Sequence, residues 1–145
     1  MKVAFFDTKP YDQKSFEMHN KAYGFEIDYF ESRLKASSAS LTKGYEVVCV
    51  FVRDDINSAI VEKLVENGVK LIALRCAGYN NVDFEAAEGK IKVVRVPAYS
   101  PYAVAEFGVG LMMTLNRKLH KAYTRTREGN FSLNGLTGFD VHGKQ

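Results

Sequence analysis

The residues with the clearest chemical potential follow the apolar run Val69-Lys70-Leu71-Ile72-Ala73-Leu74 and read Arg75-Cys76-Ala77-Gly78-Tyr79-Asn80-Asn81-Val82-Asp83. Ala77 and Gly78 put almost no side chain between the backbone and whatever lies above it. Glycine can adopt dihedrals that turn consecutive N–H groups toward one point, so such a loop can hold an anion. Asn80 and Asn81 tolerate left-handed conformations. Asp83 is placed to cap a short helix, Phe84 to Glu88, that Gly89 ends. The plainer reading is a βα turn in which the glycine serves chain reversal only.

Other chemistry competes for attention. Asp7 after the first apolar run and Asp54-Asp55 after the third are spaced like the carboxylates of a receiver module that binds a divalent cation. That reading needs a lysine past the fifth strand, where Val96-Pro97-Ala98 stands instead. Cys76 is a candidate nucleophile by position alone, its neutral role being a small loop residue. No histidine falls near these loops: His19, His120 and His142 are far apart in sequence and begin no metal motif, so no metal site is expected. No G-x-G-x-x-G follows a strand. Gly108-Val109-Gly110 lies within helical spacing and reads as close helix packing.

The elements that must position these loops recur regularly. Apolar runs at Val3–Phe6, Phe25–Phe30, Val47–Val52, Val69–Leu74 and Ile91–Val96 read as five strands. Helical stretches fall between them. One is expected from Pro10 to Tyr23, with Phe16, His19 and Tyr23 as its stripe. A second, capped by Asn57 or Ser58 and ending near Gly68, carries Ile60, Val61, Leu64 and Val65. Ser32 to Lys43 is expected as a loop with a turn of helix. Alternation of this kind predicts right-handed βαβ crossovers and an α/β fold: a flavodoxin-like, doubly wound, parallel five-stranded sheet with helices on both faces, the strand at Val69 covered on both. Ligands of such sheets bind beyond the carboxyl ends of the strands. Asp7, Phe51 to Asp55, Cys76 to Asn80 and Pro97 to Pro101 should therefore share one rim.

Pro97 and Pro101 pin the backbone at an exit from the sheet. Beyond them Val104 to Tyr123 has helical spacing, with Val104, Leu111, Met112, Leu115 and Leu119 on one face and more apolar width than an exposed terminal helix needs. The tail from Gly129 to Gln145 is glycine-rich and closes no element.

Composition fits this picture. The 145 residues are 46% hydrophobic and 26% charged with a net charge of +3, as in ordinary globular proteins. Lys and Arg are dispersed among acids, so no nucleic-acid partner is expected. The N-terminus lacks the pattern of a signal peptide and no apolar run reaches the length of a membrane span. The expected setting is cytoplasmic, with Cys49 and Cys76 reduced.

Several spaced motifs agree in order: Arg75 to Asp83; Val94-Arg95-Val96-Pro97-Ala98-Tyr99-Ser100-Pro101; Ala103-Val104-Ala105-Glu106; Asn116-Arg117; and Gly135-Leu136-Thr137-Gly138. Together they resemble the NAD-dependent D-2-hydroxyacid dehydrogenases, the fermentative D-lactate dehydrogenases among them. The resemblance covers the whole chain. It implies a substrate-binding, flavodoxin-like domain over residues 1–99. Residues 100–145 would be the entry helix and start of an NAD-binding Rossmann domain missing from this chain, its glycine fingerprint beginning just after Gln145.

By the same resemblance the catalytic arginine, glutamate and histidine lie later still, so no catalytic residue falls here and this stretch alone is expected to be inactive. The backbone amides of Ala77 and Gly78 would bind the carboxylate of a small 2-oxo or 2-hydroxy acid. Cys76 belongs to that loop, and Phe51 and Tyr99 would line the pocket. Dimerisation through residues 101–123 is implied. Where relatives commonly read Ala-Glu-His, this chain has Ala105-Glu106-Phe107. Two other accounts remain: a stand-alone module that binds a small carboxylate, and the receiver-like module.

Overall fold

The computed structural model describes residues 1–144; Gln145, the last residue of the stretch expected to enter a second domain, lies outside the described residues. The chain forms two compact units, one from Met1 to Tyr99 and one from Ser100 onward.

The first unit holds five parallel strands, β1 (Lys2–Phe5), β2 (Glu26–Tyr29), β3 (Val47–Val50), β4 (Leu71–Leu74) and β5 (Lys92–Arg95), in the order β2-β1-β3-β4-β5. This is the flavodoxin-like doubly wound order, with its switch point between β1 and β3. Register follows the apolar pattern: Val47 pairs with Leu71, Val48 with Ile72, Cys49 with Ala73 and Val50 with Leu74. All four residues of β3 are buried, as a central parallel strand requires.

Helices α1 (Pro10–Asn20), α2 (Ser58–Glu66) and α3 (Phe84–Ala87) connect the strands. Ile60, Val61 and Leu64 of α2 pack with Ala87 of α3 on Ala4, Val48, Val50, Ile72 and Leu74. Burying each large aliphatic chain stabilises by about 1.5–3 kcal/mol relative to leaving it exposed. Both expected caps form: Asn57 Oδ1 accepts from Ile60 N at 3.1 Å and Asp83 Oδ1 from Ala86 N at 3.0 Å. Gly89, at φ +69, ends the second of these helices.

The opposite face is thinner. Val3, Phe5, Val47 and Cys49 are buried there, with Phe16 of α1 set edge-on to Phe5 at 4.7 Å. Leu71 and Ala73 are only half-buried and Val94 is 51% exposed. β4 is thus fully covered on one face, not on both. Helix α1 also stops at Asn20, three residues short of Tyr23, and buries none of its residues. Tyr23 lies outside it, stacked on Phe25.

The segment between β2 and β3 contributes more than a connection. Leu34, Ala39 and Thr42 are buried around a 3-10 turn over Ala39–Thr42. Asn67 Nδ2 donates to Ala39 O and Thr42 Oγ1 at 3.1 and 2.9 Å.

The second unit begins with α4 (Pro101–Asn116), capped by Ser100 Oγ, and continues as α5 (Leu119–Arg127). The sequence predicts one helix from Val104 to Tyr123; the structure breaks it at Lys118, which takes a left-handed φ of +55. Beyond α5, Asn116 closes a two-way clasp, its Nδ2 donating to Phe139 O at 2.8 Å and its Oδ1 accepting from Phe139 N at 2.9 Å. Gly138 fits beneath that clasp because a Cβ there would overlap the Asn116 carbonyl oxygen.

Candidate functional site

Parallel pairing brings the loops after β1, β3, β4 and β5 to one rim of the first unit, as expected. The loop after β4 is the best defined chemically. Its backbone leaves the ladder at Arg75, whose N–H donates to Val50 O at 3.1 Å. Over the next two peptides the carbonyls are engaged and the amides are not. Cys76 O accepts from Val96 N at 3.2 Å, and Ala77 O accepts from Arg95 Nη1 at 2.9 Å. Among the described residues, the N–H groups of Ala77 and Gly78 donate to no protein acceptor. A trans peptide holds its N–H opposite its own C=O, so fixing these two carbonyls turns the two amides away from their donors.

Gly78 is not in the left-handed region, so the dihedral freedom that glycine could bring there is not used. Nor is it needed for packing, since a Cβ on it would meet nothing within 4 Å. What glycine preserves at this position is an open approach to its own N–H.

Phe51 is held by a buried carboxylate. Asp54, 1% exposed, accepts from Phe51 N at 2.5 Å through Oδ2 and from Leu34 N at 2.7 Å through Oδ1. Asn81 Nδ2 adds bonds to the carbonyls of Phe51 and Asp54 at 3.0 and 2.9 Å. Burial pushes the Asp54 carboxyl above its usual range against the pull of those two amides. Asp7, instead, is held below its usual range by the Lys9 ammonium at 2.8 Å. Of the three acids that suggested a receiver site, Asp7 is paired with Lys9, Asp54 holds two backbone amides, and Asp55 accepts from Asn57 Nδ2 at 3.0 Å. Among the described residues no group of three or more His, Cys, Asp or Glu is arranged to hold a metal.

Arg75 ties three of the rim loops. Its guanidinium lies between the rings of Phe5 and Phe51, 4.5 and 4.8 Å from their centroids, and Nη2 donates to Asp7 O at 2.8 Å. Asp12 stands 3.8 Å away. The side chain is 9% exposed, and Nη1 has no partner among the described residues.

Cys76 directs Sγ to Gly78 O at 3.3 Å, within its own loop, and burial raises its pKa. Cys49, deeper, is pushed up to about 12. Neither thiol is poised as a nucleophile. Of the five residues singled out by sequence, Phe51, Cys76, Ala77 and Gly78 stand on adjoining loops. Tyr99 lies on the segment leaving β5, 62% exposed. Sequence reasoning gave Arg75 and Arg95 no role of their own and read Asp54 only as a possible cation ligand, because what each of them holds depends on partners in other loops. One groove of about 360 Å³ is lined by Leu74, Tyr79, Phe84, Val93, Val94 and Arg95, on the β5 side.

Gly108 and Gly110 sit inside α4. No helix among them is long and apolar enough to cross a membrane.

A family model described as D-isomer specific 2-hydroxyacid dehydrogenase, catalytic domain, matches residues 3–135. The chain is 56% identical over 145 residues to 2-hydroxyacid dehydrogenase homolog 1 of Schizosaccharomyces pombe and 54% identical to D-lactate dehydrogenase of Escherichia coli. In both cases 99% of the chain aligns with 44% of the relative. The apo structure of the Escherichia coli D-lactate dehydrogenase superposes with a TM-score of 0.88, covering 96% of this chain and 44% of that one. At 28% identity, an NAD-complexed D-isomer specific 2-hydroxyacid dehydrogenase from Lactobacillus delbrueckii ssp. bulgaricus gives 0.70, covering 98% of this chain and 44% of that one.

Proposed function

The chain belongs to the D-isomer specific 2-hydroxyacid dehydrogenase family, and from that premise we propose that it forms the substrate-side wall of an NAD-dependent D-lactate dehydrogenase that interconverts pyruvate and D-lactate. The observation that carries the reading is the pair of unengaged amides at Ala77 and Gly78, with their neighbouring carbonyls tied back. Two N–H groups on one side of a loop suit the two oxygens of a small carboxylate, and hydrogen bonds to a charged acceptor are the stronger kind. Phe51, fixed by Asp54 and Arg75, supplies a rigid apolar side to the same rim, and Tyr99 brings a phenol from the β5 exit. These groups bind and orient an acid; none of them moves a proton or a hydride.

The chain spans 44% of the length of the relatives it matches. The nicotinamide cofactor and the acid–base and carbonyl-polarising groups belong to the part of the enzyme beyond these residues. Bound there, NAD supplies the hydride acceptor or donor. The exposed apolar residues of α4, Val104, Phe107, Leu111, Met112 and Leu115 among them, suit contact with a second copy, and the enzyme is assigned to the cytoplasm. The full-length enzyme is expected to oxidise NADH when pyruvate is added, while residues 1–145 alone do not. Absence of turnover by the full-length protein with pyruvate or any other small 2-oxo acid would refute the assignment. Turnover by the 145-residue chain would refute the placement of the catalytic groups.

A further inference from the structure

We propose that Arg95 is a positioning residue for substrate binding, acting through the Ala77–Gly78 peptide; the inference rests on the reading of that loop as the carboxylate site. Arg95 is the last residue of β5. Its Nη1 donates to Ala77 O at 2.9 Å and to Pro97 O at 3.4 Å, and its guanidinium lies 5.1 Å from the Tyr79 ring centroid. One side chain therefore grips the loop after β4 and the segment that leads to Tyr99.

The Ala77 carbonyl and the Gly78 N–H share one peptide plane and point in opposite directions. A donor fixed on the carbonyl holds that plane against rotation. It also draws electron density toward the oxygen, which strengthens the N–H as a donor at the other end of the amide. The neighbouring plane is held by backbone alone, through Val96 N on Cys76 O. The Ala77–Gly78 plane has no backbone bond of that kind among the described residues; Arg95 is what holds it.

Solvation alone accounts for the side chain less well. Arg95 makes no ion pair among the described residues, and a surface arginine serving solubility has no reason to turn one nitrogen, Nη1, back on two carbonyls of adjacent loops. Lysine could keep the charge there. It could not keep a planar guanidinium over the Tyr79 ring while donating to both carbonyls.

The test is made in the full-length enzyme with steady-state kinetics on pyruvate, together with thermal melting and NADH affinity. R95M is expected to raise KM for pyruvate about tenfold, in line with weakening a hydrogen bond to a charged group. Its kcat should stay within about twofold, since the interaction is made equally to substrate and transition state. R95K should fall between R95M and the unsubstituted enzyme, and NADH affinity should not move. An unchanged KM in R95M overturns the inference, and so does a kcat that falls as far as kcat/KM. Complete restoration by R95K also overturns it, because charge alone would then suffice. Should R95M not fold, R95K decides: a raised KM supports the role and an unchanged one removes it. If the unsubstituted enzyme turns over no 2-oxo acid, the carboxylate reading itself fails, a result distinct from all of these.

Discussion

Replacing Gly78 by alanine separates what the fold needs from what a ligand needs. The backbone at Gly78 has no left-handed dihedral and a Cβ would meet nothing within 4 Å. Folding stability should therefore hold, or rise by about 0.4–1 kcal/mol as the unfolded chain loses freedom. Binding should respond in the other direction. A methyl group on the residue whose N–H faces the substrate crowds the approach of a carboxylate oxygen, and loss of one hydrogen bond to a charged acceptor costs about 1.5–3 kcal/mol. With about 1.4 kcal/mol to each factor of ten, KM for pyruvate should rise about 10- to 100-fold in the full-length enzyme. Urea denaturation gives the first quantity and steady-state kinetics the second. An alanine variant that keeps its KM refutes the placement of the carboxylate. One that loses more than about 1 kcal/mol of stability refutes the claim that this glycine is spared by the fold.

Asp54→Asn keeps the shape but leaves one oxygen for two amides, Leu34 N and Phe51 N. Denaturant titration should show a loss of about 1–3 kcal/mol, the cost of a buried donor without a partner. The pH dependence adds a sign. Because burial holds the folded-state pKa of Asp54 above its ordinary value of 3.8, its contribution to stability is fully present below that value and declines as pH rises through the folded pKa. The stability gap between the unsubstituted protein and the Asp54→Asn variant should then be wider at about pH 3.5 than at about pH 7, and a gap that widens with pH would contradict this. In the second unit, Gly138→Ala drives a Cβ into the Asn116 carbonyl. Opening the clasp should speed hydrogen exchange at the Phe139 amide and proteolysis beyond Arg127, and unchanged exchange would show that the clasp is dispensable.

How far the fold could be read from the chain depended on how local each cause was. Five strands and two helix caps were legible because alternation of short apolar runs with Asn57 and Asp83 is a signal contained in a few residues. The break between α4 and α5 was not, since neither Gly nor Pro marks it; Lys118 takes the left-handed turn, and Asn116 is engaged with Phe139, distant in sequence. The loop after β4 could be found from its Ala-Gly pair and the strand before it. Its supports could not. Arg75 reaches Asp7, Arg95 reaches Ala77 and Asp54 reaches Leu34, and each such pairing exists only once the sheet has brought separate loops to one end. At Gly78 the torsional freedom read from the sequence is not used, since the backbone there is not left-handed; the role proposed for it rests on access instead.

β5 is one of the two edge strands of the sheet. It is four residues long, with lysine at one end, arginine at the other and little cover over Val94. A longer, uncharged border would invite the border of another molecule to zip alongside it. Here any such neighbour would have to lie along a short border that carries a cation at each end. Those charges and that shortness guard this side of the sheet against growing by one strand too many.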